Sequence, residues 1–514
     1  MVDAPEPGDG VRIGSRRGVV LLVATVLASS MAFLDATVVN IALPAMGEDL
    51  GAGTRGLTWV VTAYALPLAS LILLGGALGD RFGRRALFTA GVVLFVLGSL
   101  VCAAAGSIEV LLAGRAVQGV GAAALVPSSL ALLQGAVAAG ERGRAVGIWS
   151  GLTGVGAALG PFLAGSFLEL WSWRAIFLVN LPLAVVVLAL VPLLAPPAPA
   201  DAAAPSPAAA AATAPRARHA HFDVLGSVLL AVALAAVTTG LTNWAQQPFA
   251  DRSVAGPVVL GVEAFVLFGW WQVRAPEPLL PHEAWASQAF VWINAVTFLV
   301  YAVLGAVFLW VVITLQVVAG RSPLVAGLGL MPVTAVMLAL SSRAGAASDR
   351  YGPRPPMVLG IALSALALAL LTRIDASTGY VVDVLLPATI LGLGLTAMVT
   401  PLTAGALAAL PSRLAGTASG VNNAAARTGG LLGVAALPAV TGLGPDGFAD
   451  PSSLDGAFDV AMWSCVGVLV VAALLTQRFV PSGRDPSSDT GQVSWHCAVC
   501  EPPRPAGRRL TSRP

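Results

Sequence analysis

The chain has 514 residues, 57% of them hydrophobic and 11% charged, with a mean hydropathy of +0.84 and a formal net charge of +2. A soluble globular domain carries about 25% charged residues, so this composition excludes an ordinary water-soluble fold and points to the lipid bilayer as solvent. The distribution of charge matters more than its small sum, and nucleic acid is not an expected partner.

In chain order, Arg12, Arg16 and Arg17 close a cytoplasmic segment, 1–18, ahead of an apolar stretch at 19–43. That stretch outruns the apolar core of a cleavable signal, about 7 to 15 residues, and predicts an uncleaved first helix. Apolar runs at 57–79, 86–106, 109–133, 145–168 and 175–195 complete a first half, 19–195, of six spans. Each is long enough to cross a hydrocarbon core about 30 Å thick at about 1.5 Å per residue. The Ala- and Pro-rich stretch 196–222, with Arg216, Arg218 and His219 near its end, reads as a cytoplasmic linker. Two inserted helices, near 224–244 and 254–273, occupy 223–273, and a cytoplasmic loop follows at 274–287. A second half, 288–480, holds spans at 288–317, 324–342, 355–373, 381–410, 414–442 and 457–480, and 481–514 reads as a disordered cytoplasmic tail. The expected fold is an all-α membrane protein of about fourteen transmembrane helices, two six-helix halves plus the inserted pair.

Every basic residue is arginine. One set of alternate connections holds Arg12, Arg16, Arg17, Arg81, Arg84, Arg85, Arg142, Arg144, Arg216, Arg218, Arg274, Arg350, Arg354, Arg413 and Arg478. The other holds Arg55, Arg252, Arg321 and Arg373, with Arg174 near a boundary, together with the acidic Asp446, Asp450 and Asp455. Short cytoplasmic loops collect basic residues, so both termini are expected in the cytoplasm. Trp171, Trp173, Trp244, Trp270 and Trp271 fall at predicted helix ends, where amphipathic rings favour the headgroup layer. An internal repeat supports the same topology. Gly79-Asp80-Arg81-Phe82-Gly83-Arg84-Arg85 follows the second span, and Ser348-Asp349-Arg350-Tyr351-Gly352-Pro353-Arg354 follows the tenth, so both loops share a side as a parallel duplication requires.

Cys102 and Cys465 read as small buried hydrophobes, and no disulfide framework is implied. His219 with His221, and His496, Cys497 and Cys500 in the tail, are too few ligands for a structural zinc site. No metal and no cofactor is expected.

Four motifs carry a family resemblance. The first span has Leu34-Asp35-Ala36-Thr37-Val38-Val39-Asn40-Ile41-Ala42-Leu43-Pro44, and the next loop has Gly76 to Arg85 with the pattern above. The fourth span has Arg115-Ala116-Val117-Gln118-Gly119-Val120-Gly121, and the fifth has Gly156-Ala157-Ala158-Leu159-Gly160-Pro161-Phe162-Leu163-Ala164-Gly165. Together with Trp173 to Pro182, they resemble the fourteen-helix drug/proton antiporter branch of the major facilitator superfamily over about residues 17–480. Pro353 stands where the first loop has Arg84, and Ala164 where the antiporter signature usually has glycine.

An ionised carboxylate near the bilayer centre costs about 2.5–3.5 kcal/mol even on insertion scales, and a buried guanidinium needs a partner or water. Asp35 therefore reads either as a cavity-facing proton carrier or as a fixed partner of a nearby arginine. Arg115 reads either as the group that drives proton release or as a brace of the first half, with Gln118 sharing its hydrogen bonds. The resemblance implies the proton-coupling role for both. Gly79, Asp80, Arg81, Gly83, Arg84 and Arg85, with Asp349 and Arg350, form the expected gating loops, which anchor topology as well. Gly156, Gly160, Pro161 and Gly165 mark a small-residue face preceded by Gly147 and Gly151 at the same spacing, for close helix approach. The resemblance adds a seal against proton leak. Asn40, Trp59, Tyr64, Gln118, Trp310, Asn422, Asn423 and Arg427 are substrate-cavity candidates. Glu263, midway along the second inserted helix, reads either as a second proton site or, as expected here, as a pair with a polar group on a neighbouring helix.

The resemblance implies proton-coupled efflux of drugs or antibiotics across the bacterial cytoplasmic membrane by alternating access, with protons and a small amphiphilic substrate as partners of a monomer. Proton-coupled transport of an endogenous metabolite, such as a sugar, amino acid or siderophore, is the alternative. An enzyme is not expected, since all four histidines lie in loops or tails.

Overall fold

The computed structural model describes residues 11–138, 141–194, 223–276, 278–411 and 414–482. The expected linker 196–222, with His219 and His221, and the tail residues His496, Cys497 and Cys500 lie outside the described residues, as do the side chains of Asp80 and Asp349.

The first half contains α1 (Arg16–Leu50), α2 (Thr54–Phe82), α3 (Arg84–Ala103), α4 (Ile108–Ala136), α5 (Arg142–Leu170), α6 (Ala175–Leu178) and α7 (Asn180–Leu190), the last closed by a 3-10 turn at Val191–Leu194. Next come α8 (Val224–Trp244) and α9 (Arg252–Arg274), then a short α10 (His282–Ala286). The second half contains α11 (Gln288–Val317), α12 (Pro323–Leu328), α13 (Met331–Tyr351), α14 (Arg354–Leu371), a π-helical turn at Tyr380–Leu385 leading into α15 (Leu386–Ala408), α16 (Ala415–Thr441) and α17 (Pro451–Phe479). Among the described residues fourteen helical stretches are long and apolar enough to cross a membrane; the tenth and twelfth are each built from two successive pieces and the sixth from three. No β-strand occurs among the described residues, only an isolated bridge between Val11 and Val137.

Helix ends follow local chemistry. Ser15 caps α1 by accepting from the Gly18 amide at 3.1 Å, and Gly51 stops that helix at φ +62°. The last predicted span starts earlier than expected, at Pro451, because Asp450 accepts from the Ser452 and Ser453 amides and Pro451 fits the first helical turn. The two repeated loops share a backbone device: Gly83 at φ +94° turns α2 into α3, and Gly352 at φ +80° turns α13 into α14.

The duplication extends into packing. α3 lies on α4 with Gly91 against Leu125 and Gly121 against Phe95, and α14 lies on α15 with Gly360 against Met398 and Gly394 against Ser364. Lipid gives no hydrophobic drive between helices, so close backbone approach supplies the contact energy. α11 and α16 meet in the same way, through Gly305 and Gly430.

The inserted hairpin is not an appendage. Gly240 and Gly261 let α8 and α9 pack closely, and the Asp223 carboxylate accepts from Trp271 Nε1 at 2.6 Å and from Gln272 Nε2 at 2.5 Å. Leu234 of α8 packs with Ala69 of α2 and Leu431 of α16, so the hairpin covers a seam where one helix from each half meets. One expectation fails here. Glu263 is exposed on the face of α9 shared with Leu260, Val262 and Leu267, with no hydrogen bond or ion pair among the described residues. Gly261, Ala264 and Phe268 form the buried stripe of α9, and helical periodicity turns Glu263 away from it.

Besides the α2–α16 seam, contacts between the halves gather at the end of the bundle opposite Arg16 and Phe479. Gln316 Nε2 of α11 donates to Ile41 O of α1 at 3.0 Å, Thr54 N donates to Pro445 O at 2.6 Å, and Gly165 of α5 lies directly on Leu324 of α12. This far end is sealed. The opposite end carries Arg16, Arg84, Arg85, Arg142, Arg274, Arg350 and Arg354.

Candidate functional site

The deepest polar cluster of the first half centres on Asp35, near the middle of α1. Asp35 is 2% and Arg115 1% exposed, and Arg115 Nη1 of α4 donates to Asp35 Oδ2 in a direct ion pair. Gln118 lies one turn beyond Arg115 and serves both partners. Its Oε1 accepts from Arg115 Nη1 at 2.9 Å, and its Nε2 donates to Asp35 Oδ1 at 3.0 Å.

The cluster reaches three further elements. Arg115 Nε donates to Val60 O of α2 at 3.1 Å, and the guanidinium carbon sits 4.4 Å from the centre of the Tyr64 ring. Tyr64 itself is anchored by donating to Ala32 O at 3.0 Å. Gln118 Nε2 also donates to Ser99 Oγ of α3 at 2.8 Å, and Asn180 Nδ2 at the start of α7 donates to the same hydroxyl at 3.2 Å. Two charges withdrawn from water thus meet as a neutral pair whose remaining donors and acceptors are met by five helices, the arrangement that makes burial tolerable. The structure brings Asp35, Arg115, Gln118 and Tyr64 together. Ser99 and Asn180 were missed as site residues; the signal of Ser99 was only that of a polar residue inside an apolar run, while Asn180 falls within the Trp173–Pro182 motif.

The loop residues occupy the arginine-rich end. Arg84 Nη1 donates to Ala131 O of α4 at 3.0 Å, which fastens the α2–α3 turn to α4. Arg81 and Arg350 are exposed over the rings of Phe82 and Tyr351, and Arg85 is half-buried. On α5, a side chain at Gly156 would meet Ser30 of α1, one at Gly160 would fall on the Thr37 hydroxyl, and one at Gly165 on Leu324. Pro161 packs against Gly327 of α12. The small-residue face is therefore the surface that joins α5 to α1 and to the other half. Gly147 has nothing within 4 Å, so the face does not extend to it as its spacing suggested.

The cavity candidates separate. Trp310 is fully buried and edge-on to Phe448 at 5.4 Å, which places it in the seal at the far end, not on a cavity wall. Trp59 and Asn40 are half-buried, and Asn40 Oδ1 is a buried acceptor without a partner among the described residues. Asn422 donates to Asn294 Oδ1 at 3.2 Å and Thr297 Oγ1 at 2.9 Å, tying α16 to α11. Asn423 is exposed and donates to Ser419 O of its own helix at 3.1 Å. Arg427, near the middle of α16, is half-buried 4.9 Å from the centre of the Phe33 ring across the boundary between the halves. Among the described residues no group of three His, Cys, Asp or Glu could hold a metal ion.

The sequence pattern of the Major Facilitator Superfamily matches residues 25–434. The chain is 35% identical to the puromycin resistance protein of Streptomyces alboniger, covering 92% of this chain and 93% of that one. It is 33% identical to the tetracenomycin C resistance and export protein of Streptomyces glaucescens, over 81% of this chain and 74% of that one. It is 32% identical to a cephamycin export protein of Amycolatopsis lactamdurans, over 88% and 91%. Among solved structures, a D-xylose-proton symporter superposes with a TM-score of 0.60 at 16% identity, over 90% of this chain and 98% of that one. A peptide transporter, POT, solved with sulfate, superposes with a TM-score of 0.63 at 15% identity, over 92% and 98%. These two likenesses concern the fold alone.

Proposed function

The chain belongs to the Major Facilitator Superfamily, and we propose that it exports drug-like amphiphiles across the bacterial cytoplasmic membrane by alternating access of its halves, in exchange for protons. The relatives support efflux, being named for antibiotic resistance and export. The proton-coupling part rests on one observation, the water-shielded Asp35–Arg115 pair.

The pair links α1 to α4, and α1 is also the helix whose far half seals against α11 through Ile41 and Gln316. A proton taken up by Asp35 cancels its charge, leaving Arg115 held by Val60 O, Gln118 Oε1 and the Tyr64 ring. The link between α1 and α4 then weakens, so protonation biases the position of a helix that closes the far end. Arginine placement supports cytoplasmic termini, which makes the sealed end extracellular and this conformation inward-facing. Asp80, Arg81, Gly83, Arg84 and Arg85 would govern closure of the cytoplasmic end, together with Asp349 and Arg350.

The test uses inside-out vesicles with an acidified interior. Cargo added outside should discharge the pH gradient through the wild type and not through Asp35→Asn. Equal discharge and equal drug resistance from both would sink the coupling role of Asp35.

A further inference from the structure

We propose that the boundary between the halves at Arg427 binds amphiphiles bearing an acidic oxygen group, a carboxylate, sulfonate or enolate on an apolar ring system, with Arg427 as the counter-charge. The inference rests on the export reading and names its cargo class.

Arg427 is a cation at mid-depth of a membrane-spanning helix, a placement that is costly unless something answers the charge. Among the described residues it has no hydrogen-bond acceptor and no carboxylate partner. Its guanidinium lies 4.9 Å from the centre of the Phe33 ring of the opposite half, and a ring face cannot satisfy five N–H donors. The other deep charges do not answer it. Asp35 is committed to Arg115, Glu263 faces away on α9, and Asp459 is exposed in the first turns of α17 at the sealed end. Arg343 on α13 adds a further exposed positive charge. The Asp35–Arg115 pair being neutral, the charge that Arg427 brings to the boundary between the halves is left positive.

The surroundings suit an oxyanion with an apolar body. Tyr301 of α11 runs beside Gly430, within a turn of Arg427 on α16, so an aromatic of each half, Phe33 and Tyr301, lies near the guanidinium-bearing turn. Tyr301 is half-buried, and its hydroxyl has no hydrogen-bond partner among the described residues. A planar guanidinium grips a carboxylate or sulfonate through two parallel hydrogen bonds. The hydroxyl can donate a third, while Phe33 flanks the ring system. A cationic amphiphile in the same place meets like charge.

The experiment compares ligands of one shape and different charge on the purified full chain in zwitterionic lipid nanodiscs. The acidic probe is 8-anilinonaphthalene-1-sulfonate, the neutral one N-phenyl-1-naphthylamine, and the cation ethidium, with affinities read from ligand-dependent thermal shifts. The wild type should bind the sulfonate more tightly than its neutral analogue. Arg427→Gln should weaken the sulfonate by about tenfold to a hundredfold, the range for a lost charge-assisted hydrogen bond, and leave the neutral probe within about twofold. Arg427→Lys should retain part of the preference. Asn423→Asp, at an exposed position one turn away, sets a carboxylate beside Arg427 and should abolish the preference even if Arg427→Gln folds poorly. Equal weakening of all three probes, or a wild type without preference for the sulfonate, overturns the inference. Failure of bound probes to be exported in the resistance assay would instead sink the export reading and leave the selectivity standing.

Discussion

Replacing Asp35 by asparagine preserves shape and removes one charge, so its cost follows from the contacts of the carboxylate. Both oxygens are engaged, Oδ2 by Arg115 and Oδ1 by Gln118 at 3.0 Å. Asparagine has one acceptor oxygen, so one of the two donors faces an amide NH2. Arg115 keeps Val60 O and Gln118 Oε1 but has no counter-ion at 1% exposure. Breaking a buried pair from one side costs about 3–5 kcal/mol, and Arg115→Gln should cost a similar amount by stranding Asp35. The double variant leaves no charge, so its destabilisation should fall short of the summed single effects by about 2–3 kcal/mol. Unfolding in mixed micelles by titrated dodecyl sulfate, followed by helical ellipticity, gives the free energies, and labelling of buried Cys102, beside Gln118, reports locally. Additivity within about 0.5 kcal/mol would refute the pairing. Recovery of stability in the double variant without recovery of proton movement would separate the brace from the coupling role.

Three further outcomes are expected. Gly165→Ala places a methyl on Leu324 and should open the far end, raising labelling of cysteines introduced there, whereas Gly147→Ala meets nothing within 4 Å and should leave labelling unchanged. Equal labelling in the two variants would refute the seal. Gly352, at φ +80° and ψ 167°, is in a region essentially restricted to glycine, so Gly352→Ala should cost about 1–3 kcal/mol in the same micelle titration. The carboxyls of Asp251, Asp375 and Asp450 are held below the usual range by hydrogen bonds from Ser253, Ser377 and Ser453 respectively. A lowered carboxyl stabilises above its unfolded pKa, about 3.9, and loses that contribution as pH falls through the folded value. These carboxylates therefore stay charged between about pH 5 and 8. Asp450→Asn should leave the pH profile of transport in that window unshifted, and a shifted profile would place a titrating group at the far end.

Much of the fold was legible because its signals are local. Length and hydropathy set the number and order of the spans, and the repeated loop identified the halves through Gly83 and Gly352, each required by its own turn. Boundaries were less legible where polar residues continue a helix past the apolar run, as Glu48 and Asp49 do in α1, which ends at Leu50. At the candidate site, Asp35, Arg115 and Gln118 were visible as polar residues in apolar spans. That they meet was not.

The sequence by itself determined that this is a duplicated membrane bundle of fourteen spans, because insertion into lipid depends on runs of neighbouring residues. Tertiary structure alone decided which faces look inward. In lipid both sides of a helix are apolar, so periodicity carries little information about packing. Only the fold could pair Asp35 with Arg115, turn Glu263 outward, bury Trp310 in the seal, lay the inserted hairpin across α2 and α16, and leave Arg427 unanswered between the halves.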